Sequence, residues 1–177
     1  LETMTDDKKI ISIDTMGGDK GPNAALGGVN QYLYQYGEDS VFFRLFGDEK
    51  VLRKLLGKYP RVSRNCEVVH APNSIKGTDK VMDVLRHAQD TSMYMAIKDV
   101  REGKSSAIIS AGNTGILMSL SKLALKTIDG ISRPAITTML PSGAGDSRVV
   151  VLDLGATVAC DEGILFDFAV LGSVYDE

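Results

Sequence analysis

Tryptophan is absent from this chain, and aromatic residues make up only 6% of it. A surface on which nucleobases stack needs aromatic faces, so that class of function is disfavoured. Positive charge is not in excess either. Lys and Arg number 20 against 23 Asp and Glu, a net charge of −3, which does not furnish the broad basic face of a nucleic-acid binder. The two cysteines, Cys66 and Cys160, lie far apart and neither belongs to a Cys-x-x-Cys pair. That spacing argues against a zinc site or a dithiol redox motif and fits reduced thiols in a cytoplasmic protein. No apolar run approaches the ~20 residues of a membrane-spanning helix. The histidines, His70 and His87, accompany no G-x-S-x-G elbow, so a covalent triad is not expected.

What is present is an ordinary globular balance: 177 residues, 44% apolar and 24% charged, enough for a sizeable core. The polar, mixed-charge start, residues 1–9, is unlike a signal peptide and reads as a disordered leader before one domain over 10–177. Residues 10–14 (Ile-Ile-Ser-Ile-Asp) read as a first strand, followed by a glycine-rich turn. A helix over 22–36 comes next, opened by Pro22, with Ala25, Leu26, Val29, Leu33 and Tyr36 near helical spacing. The turn is not G-x-G-x-x-G, because Asp19 stands where the second glycine would be, and no G-K-[ST] follows for a Walker A loop.

Strands over 41–47 and 66–70 follow, the first leading into a helix capped by Asp48 and ended at Gly57. The polar loop 71–80, which ends on Lys80, is long for a plain connection and is a functional candidate. A helix over 81–88 and another from Ser92 precede a fourth strand over 106–109 and a helix over 116–125. Alternating strands and helices predict an α/β fold, with a mostly parallel sheet and helices on both faces. Residues 135–140 and 149–153 read as two further strands. The loop Pro141–Ser147 between them is shorter than the dozen or so residues of a parallel crossover, so they are expected to pair antiparallel. A last helix from Glu162 carries an apolar stripe of Ile164, Leu165, Phe168, Leu171, Val174 and Tyr175. It shows no C-cap, so it either packs back on this domain or expects more chain or a partner.

Chemistry concentrates in the turns. Ser110-Ala111-Gly112-Asn113-Thr114-Gly115 joins strand to helix with side-chain oxygens and two glycines. It is either a capped helix start or an anion site built on free N–H groups and the helix dipole. Asp14 with Gly17, Gly18 and Asp19 forms a second such turn, and Asp153 with Gly155 and Thr157 a third. All three would lie at the carboxyl edge of the sheet if their strands are parallel. Asp14 and Asp153 either hold these loops by accepting N–H bonds or take part in chemistry. Arg133 either pairs with an anionic ligand or makes an internal salt bridge. Donor-rich turns without a strong nucleophile suit direct transfer between two bound substrates. Lys50, Arg53, Lys54, Lys58, Arg61 and Arg64 form a basic patch, either a solvated face or a place for an acidic protein partner.

These turns resemble a known family. Residues 13–19 (Ile-Asp-Thr-Met-Gly-Gly-Asp) with Pro22, Ser92-Met93, Ser110–Gly115, Arg133-Pro134-Ala135 and residues 152–156 (Leu-Asp-Leu-Gly-Ala) are similar, in order and spacing, to motifs of the bacterial acyl-ACP:phosphate acyltransferases of phospholipid synthesis. The resemblance implies a fold like isocitrate and isopropylmalate dehydrogenases and phosphotransacetylases. It implies a homodimer, no metal or cofactor, and membrane contact that is at most peripheral. It implies acyl-phosphate formation from long-chain acyl carrier protein and inorganic phosphate. Asn113, Asp14 and Asp153 are then the expected catalytic residues. Phosphate or substrate would be held by Gly17, Gly18, Asp19, Ser110, Gly112, Thr114, Arg133, Thr157 and Lys80. Members of that family are longer, so the chain is expected to correspond to an N-terminal half. Residues 89–91 (Gln-Asp-Thr) replace a usually basic stretch, and Thr157 stands where many members have Asn. The readings that compete are an acyl-CoA phosphotransacylase and a half-domain that only binds phosphate or dimerises.

Overall fold

The computed structural model describes residues 8–39, 41–143, 148–157 and 159–176. Most of the expected leader, and residues 144–147 of the loop that follows Pro141, lie outside the described residues. The chain forms two compact units that meet in sequence between Leu125 and Lys126.

The first unit contains β1 (Lys9–Asp14), α1 (Gly21–Tyr36), β2 (Val41–Gly47), α2 (Glu49–Leu56), α3 (Pro60–Arg64) and β3 (Cys66–His70). It continues through α4 (Val81–His87), α5 (Ser92–Arg101), β4 (Ala107–Ser110) and α6 (Thr114–Leu125). The strands form one parallel sheet in the order β3-β2-β1-β4. The chain therefore builds outward from β1 to β3, then returns to lay β4 on the free side of β1.

Strand alternation sorts side chains onto two faces. Ile13, Phe43 and Leu45 pack with Leu26, Val29 and Leu33 of α1, Leu52 of α2 and Val62 of α3. Full burial of side chains such as Leu26, Leu45 and Leu52 contributes roughly 1.5–3 kcal/mol each. A second core joins Met93 and Ile97 of α5 to Ile116, Leu120 and Ala124 of α6, with Val84 of α4. Helices thus cover both faces, as the sequence pattern predicts.

Ser12 and Arg44, on the α5 side of the sheet, meet polar partners there. The Ser12 hydroxyl donates to Asp99 Oδ2 at 2.8 Å and lies 2.8 Å from Ser105 Oγ. Arg44 Nε sits 2.9 Å from the same Asp99 oxygen, an ion pair by distance although its N–H is not aligned as a hydrogen bond. Buried charge is tolerated only with such partners.

Some boundaries differ from expectation. β1 starts one residue early, at Lys9, because Lys9 pairs with Val41. α2 ends at Leu56 with Gly57 as its C-cap, as expected, but Gly57 keeps φ −57° rather than a left-handed value. The chain instead turns into the unexpected helix α3, started by Pro60, whose ring presets a helical φ. α6 begins at Thr114 rather than Ile116 because Asn113 caps it, its Oδ1 accepting from the Ile116 N–H at 3.1 Å.

The second unit holds β5 (Thr137–Pro141), β6 (Arg148–Leu152) and α7 (Glu162–Asp176). β5 and β6 pair antiparallel, from Thr137↔Leu152 to Pro141↔Arg148, as their short link requires. Asp153 therefore follows a strand of the separate antiparallel pair, so the condition for its joining the carboxyl edge of the parallel sheet is not met. α7 approaches β6 closely: a Cβ on Gly172 would lie 2.9 Å from Leu152 Cδ1.

α7 is also tied to the loop before β5. Asp167 Oδ2 accepts from the Ser132 N–H at 3.0 Å and from its hydroxyl at 2.7 Å. The backbone N–H of Ser132, and then its hydroxyl, hold the Asp167 carboxyl below its usual value of 3.8. A depressed folded pKa means that this contribution is present above the unfolded value and is lost as pH falls through the folded one. Protection of the Ser132 amide from hydrogen exchange is therefore expected to drop on acidification through that window. In Asp167→Asn it should show no such step; an identical step there would refute the assignment.

Candidate functional site

The strand order reverses between β1 and β4, and ligands in open α/β sheets bind beyond the carboxyl ends at such a point. Asp14 and Ser110 are in register there, as the last residues of their strands. Asp14 is only 4% exposed, yet its carboxylate is well supplied with donors. Ser92 Oγ donates to Oδ1 at 2.6 Å and Ser110 Oγ to Oδ2 at 2.7 Å. The Met16 N–H donates to Oδ1 at 3.3 Å. The Gly112 N–H in turn donates to Ser110 Oγ at 3.1 Å. One carboxylate thereby holds the end of β1, the start of α5 and the turn after β4 in one arrangement.

Ser92 is the residue that sequence reasoning left without a role. It opens α5 behind the Thr91 cap and is 1% exposed. Its partner is 78 residues away in sequence, so only its position at a capped helix start was visible locally.

Glycine lets the two turns touch. A Cβ on Gly17 would lie 2.8 Å from both Asp14 Oδ2 and the Gly112 nitrogen. Gly18 has φ +77°, and a Cβ there would lie 2.9 Å from the Ala111 carbonyl oxygen. The predicted residues Asp14, Gly17, Gly18, Ser110 and Gly112 are therefore brought together. Asp19 lies exposed past the turn.

Asn113 is the N-cap of α6, and its carbonyl accepts from the Leu117 N–H at 2.9 Å. With the Ile116 and Leu117 N–H groups so engaged, the outward donors of the first turn are those of Thr114 and Gly115. The Asn113 amide points its Nδ2 at the Gly77 carbonyl, 3.5 Å away, so the loop after β3 reaches this helix start. Lys80 stands at the N-terminal boundary of α4 and lines a cavity of about 440 Å³ with Thr78, Asp83 and His87. His70 makes a structural contact, Nδ1 accepting from the Glu49 N–H at 3.3 Å.

The other predicted residues belong to the second unit. Asp153 takes a left-handed φ of 67° and spends its carboxylate on its own turn. Oδ2 accepts from the Thr157 N–H at 3.1 Å and Oδ1 from the Thr157 hydroxyl at 2.8 Å. Arg133 donates from Nη2 to the Ala156 carbonyl at a long 3.4 Å, while its Nε is buried without a hydrogen-bond partner. A buried unpaired guanidinium donor is unusual, and an anion beside it would satisfy it.

A family model described as fatty acid synthesis protein matches residues 9–177. The chain belongs to that family. Among its curated relatives, the phosphate acyltransferase of Neorickettsia sennetsu is 42% identical over 170 residues, which is 95% of this chain and 48% of the relative. That of Maricaulis maris is 40% identical over 165 residues, 93% of this chain and 46% of the relative. That of Granulibacter bethesdensis is 41% identical over 169 residues, 96% of this chain and 45% of the relative. The chain thus spans about half the length of the curated relatives it matches. The family match bears out the resemblance carried by the five motifs, and no helix among the described residues is long and apolar enough to cross a membrane.

Proposed function

We propose that this chain supplies one wall of the site of a phosphate acyltransferase, which makes acyl phosphate from long-chain acyl carrier protein and inorganic phosphate for phospholipid synthesis. The observation that carries the reading is the glycine-lined turn before α6, braced through Ser110 by Asp14, in a chain whose curated relatives are named phosphate acyltransferase. Inorganic phosphate would bind the Thr114 and Gly115 N–H groups at the positive end of the helix dipole. A phosphate oxygen attacks the thioester carbonyl carbon, forming the C–O bond. The C–S bond then breaks, and the carrier leaves as its thiolate, which takes a proton from solvent.

Phosphate is already ionised at neutral pH, so no strong base is needed. The Asn113 Nδ2, held loosely by Gly77, is the side-chain donor that could turn to the oxyanion. Asp14 acts as a positioning residue, and within the second unit Arg133, with its unpartnered Nε, is the cation that would bind an anionic group. In this reading the protein works in the cytoplasm as a homodimer, with no metal or other cofactor.

The test is acyl-phosphate formation by the complete protein that carries these residues. Asn113→Ala should lower turnover about 10²-fold or more, the scale of one lost oxyanion donor. It should also cost about 1 kcal/mol of stability through the lost cap. Asn113→Asp keeps the capping oxygen and removes the amide donor, so it should restore stability but not turnover. Full turnover in Asn113→Asp would remove Asn113 from the chemistry. No acyl phosphate from any donor would leave a phosphate-binding or dimerising module, and a preference for acyl-CoA over acyl carrier protein would favour the coenzyme A reading.

A further inference from the structure

A cavity of about 600 Å³ lies beside α1 against the sheet and opens at the switch point. Its mouth is made by Asp14, Gly17 and Ser110, residues of the site itself. From there it runs ~16 Å along α1, taking ~1.5 Å per residue from Gly21 to Tyr32. Ala24, Ala25 and Gly28 leave the room on the helix side, with Ile13 and Ile109 on the sheet side. A Cβ on Gly28 would meet nothing within 4 Å, so there is open space on that side of the helix. Ile109 is 56% exposed although it points into an apolar groove.

We infer that this groove holds the acyl chain of the thioester donor, an inference that rests on the acyltransferase reading above. Three properties select that occupant. The groove begins at the residues that would flank the reacting carbonyl, so a chain attached to that carbonyl enters it directly. Beyond the mouth no charged residue lines it, which suits a hydrocarbon. A pantetheine arm would bring amide groups into a channel with few partners for them, at a cost in desolvation. The arm and its carrier therefore approach from the solvent side of the mouth, and the tail lies alongside α1.

The experiment compares binding of dodecanoyl-pantetheine and butyryl-pantetheine by titration calorimetry, using the complete protein that carries these residues. The parent should bind the dodecanoyl probe at least about tenfold more tightly than the butyryl one. Gly28→Leu fills the groove and replaces a helix-interior glycine with a better helix former, so it should melt no lower than the parent. That variant should erase the preference. Ile109→Asp, on the opposite wall and already exposed, should erase it too. Preference retained in both variants overturns the inference. So does its absence from the parent, which would mean that protein, from further chain or a second copy, covers the groove. If the preference is present and depends on Gly28 and Ile109 but no acyl phosphate forms from either probe, the groove stands and the proposed reaction falls.

Discussion

Replacing Asp14 with alanine is expected to lower the unfolding free energy by about 3 kcal/mol, because three donors lose their acceptor at once. The Ser92 and Ser110 hydroxyls and the Met16 N–H all converge on a carboxylate that is 4% exposed, so water cannot readily replace it. Leaving even one buried donor unpaired costs about 1–3 kcal/mol. The second consequence is local. With Asp14 gone, Ser110 Oγ is free to rotate away from the Gly112 N–H, and the turn before α6 loses its brace. Phosphate affinity should therefore fall together with stability. Asp14→Asn is the informative companion, because it keeps size and one acceptor oxygen while its amide donors face hydroxyls that must turn to accept. It should lose less stability than alanine and still disturb the turn. Urea unfolding and phosphate titration measure both effects, and an alanine variant within ~0.5 kcal/mol of the parent would show that Asp14 is not the hub.

The second large effect is expected at Gly17. Its missing Cβ lets Asp14 Oδ2 and the Gly112 backbone approach, each to 2.8 Å of where that carbon would be. Neither neighbour is the free end of a flexible side chain, since one carries the hydrogen bonds described and the other is main chain. Gly17→Ala should therefore cost about 2–3 kcal/mol, at the upper end of overpacking, and push the two turns apart. Gly28→Ala is the control in the same region. It adds the same methyl group where nothing lies within 4 Å, inside a helix, and should be neutral or stabilising by up to about 1 kcal/mol. If the two substitutions gave equal melting temperatures, close approach would not be the reason for glycine at 17.

Local chemistry made much of the fold legible. Asp48 caps α2 through the Val51 N–H at 3.1 Å, and β2 and β3 occupy the expected ranges, because caps and apolar runs act within a few residues. The short link after Pro141 was enough to settle that β5 and β6 run antiparallel. Helix α3 was not legible, since the apolar signal around it is weak and one proline at the first turn decides it. The site divided in the same way. The turns at Gly17–Gly18 and Ser110–Thr114 announced themselves by composition. The place of Asp153 stayed conditional on its strand being parallel, because which sheet a strand joins depends on pairings that a run of valines does not specify.

By itself, the sequence determined the alternation of strands and helices, the family, and the presence of donor-rich turns at strand ends. Those properties follow from residue type and short-range spacing. Only the tertiary structure decided that β1 and β4 are neighbours and that Asp14, Ser92 and Ser110 form one buried cluster. It also decided that an apolar groove runs beside α1 along the sheet. The physical reason is distance along the chain: 78 residues separate Ser92 from Asp14 and 96 separate Ser110 from it. Contacts of that separation are set by sheet order and helix packing, which the whole chain determines together.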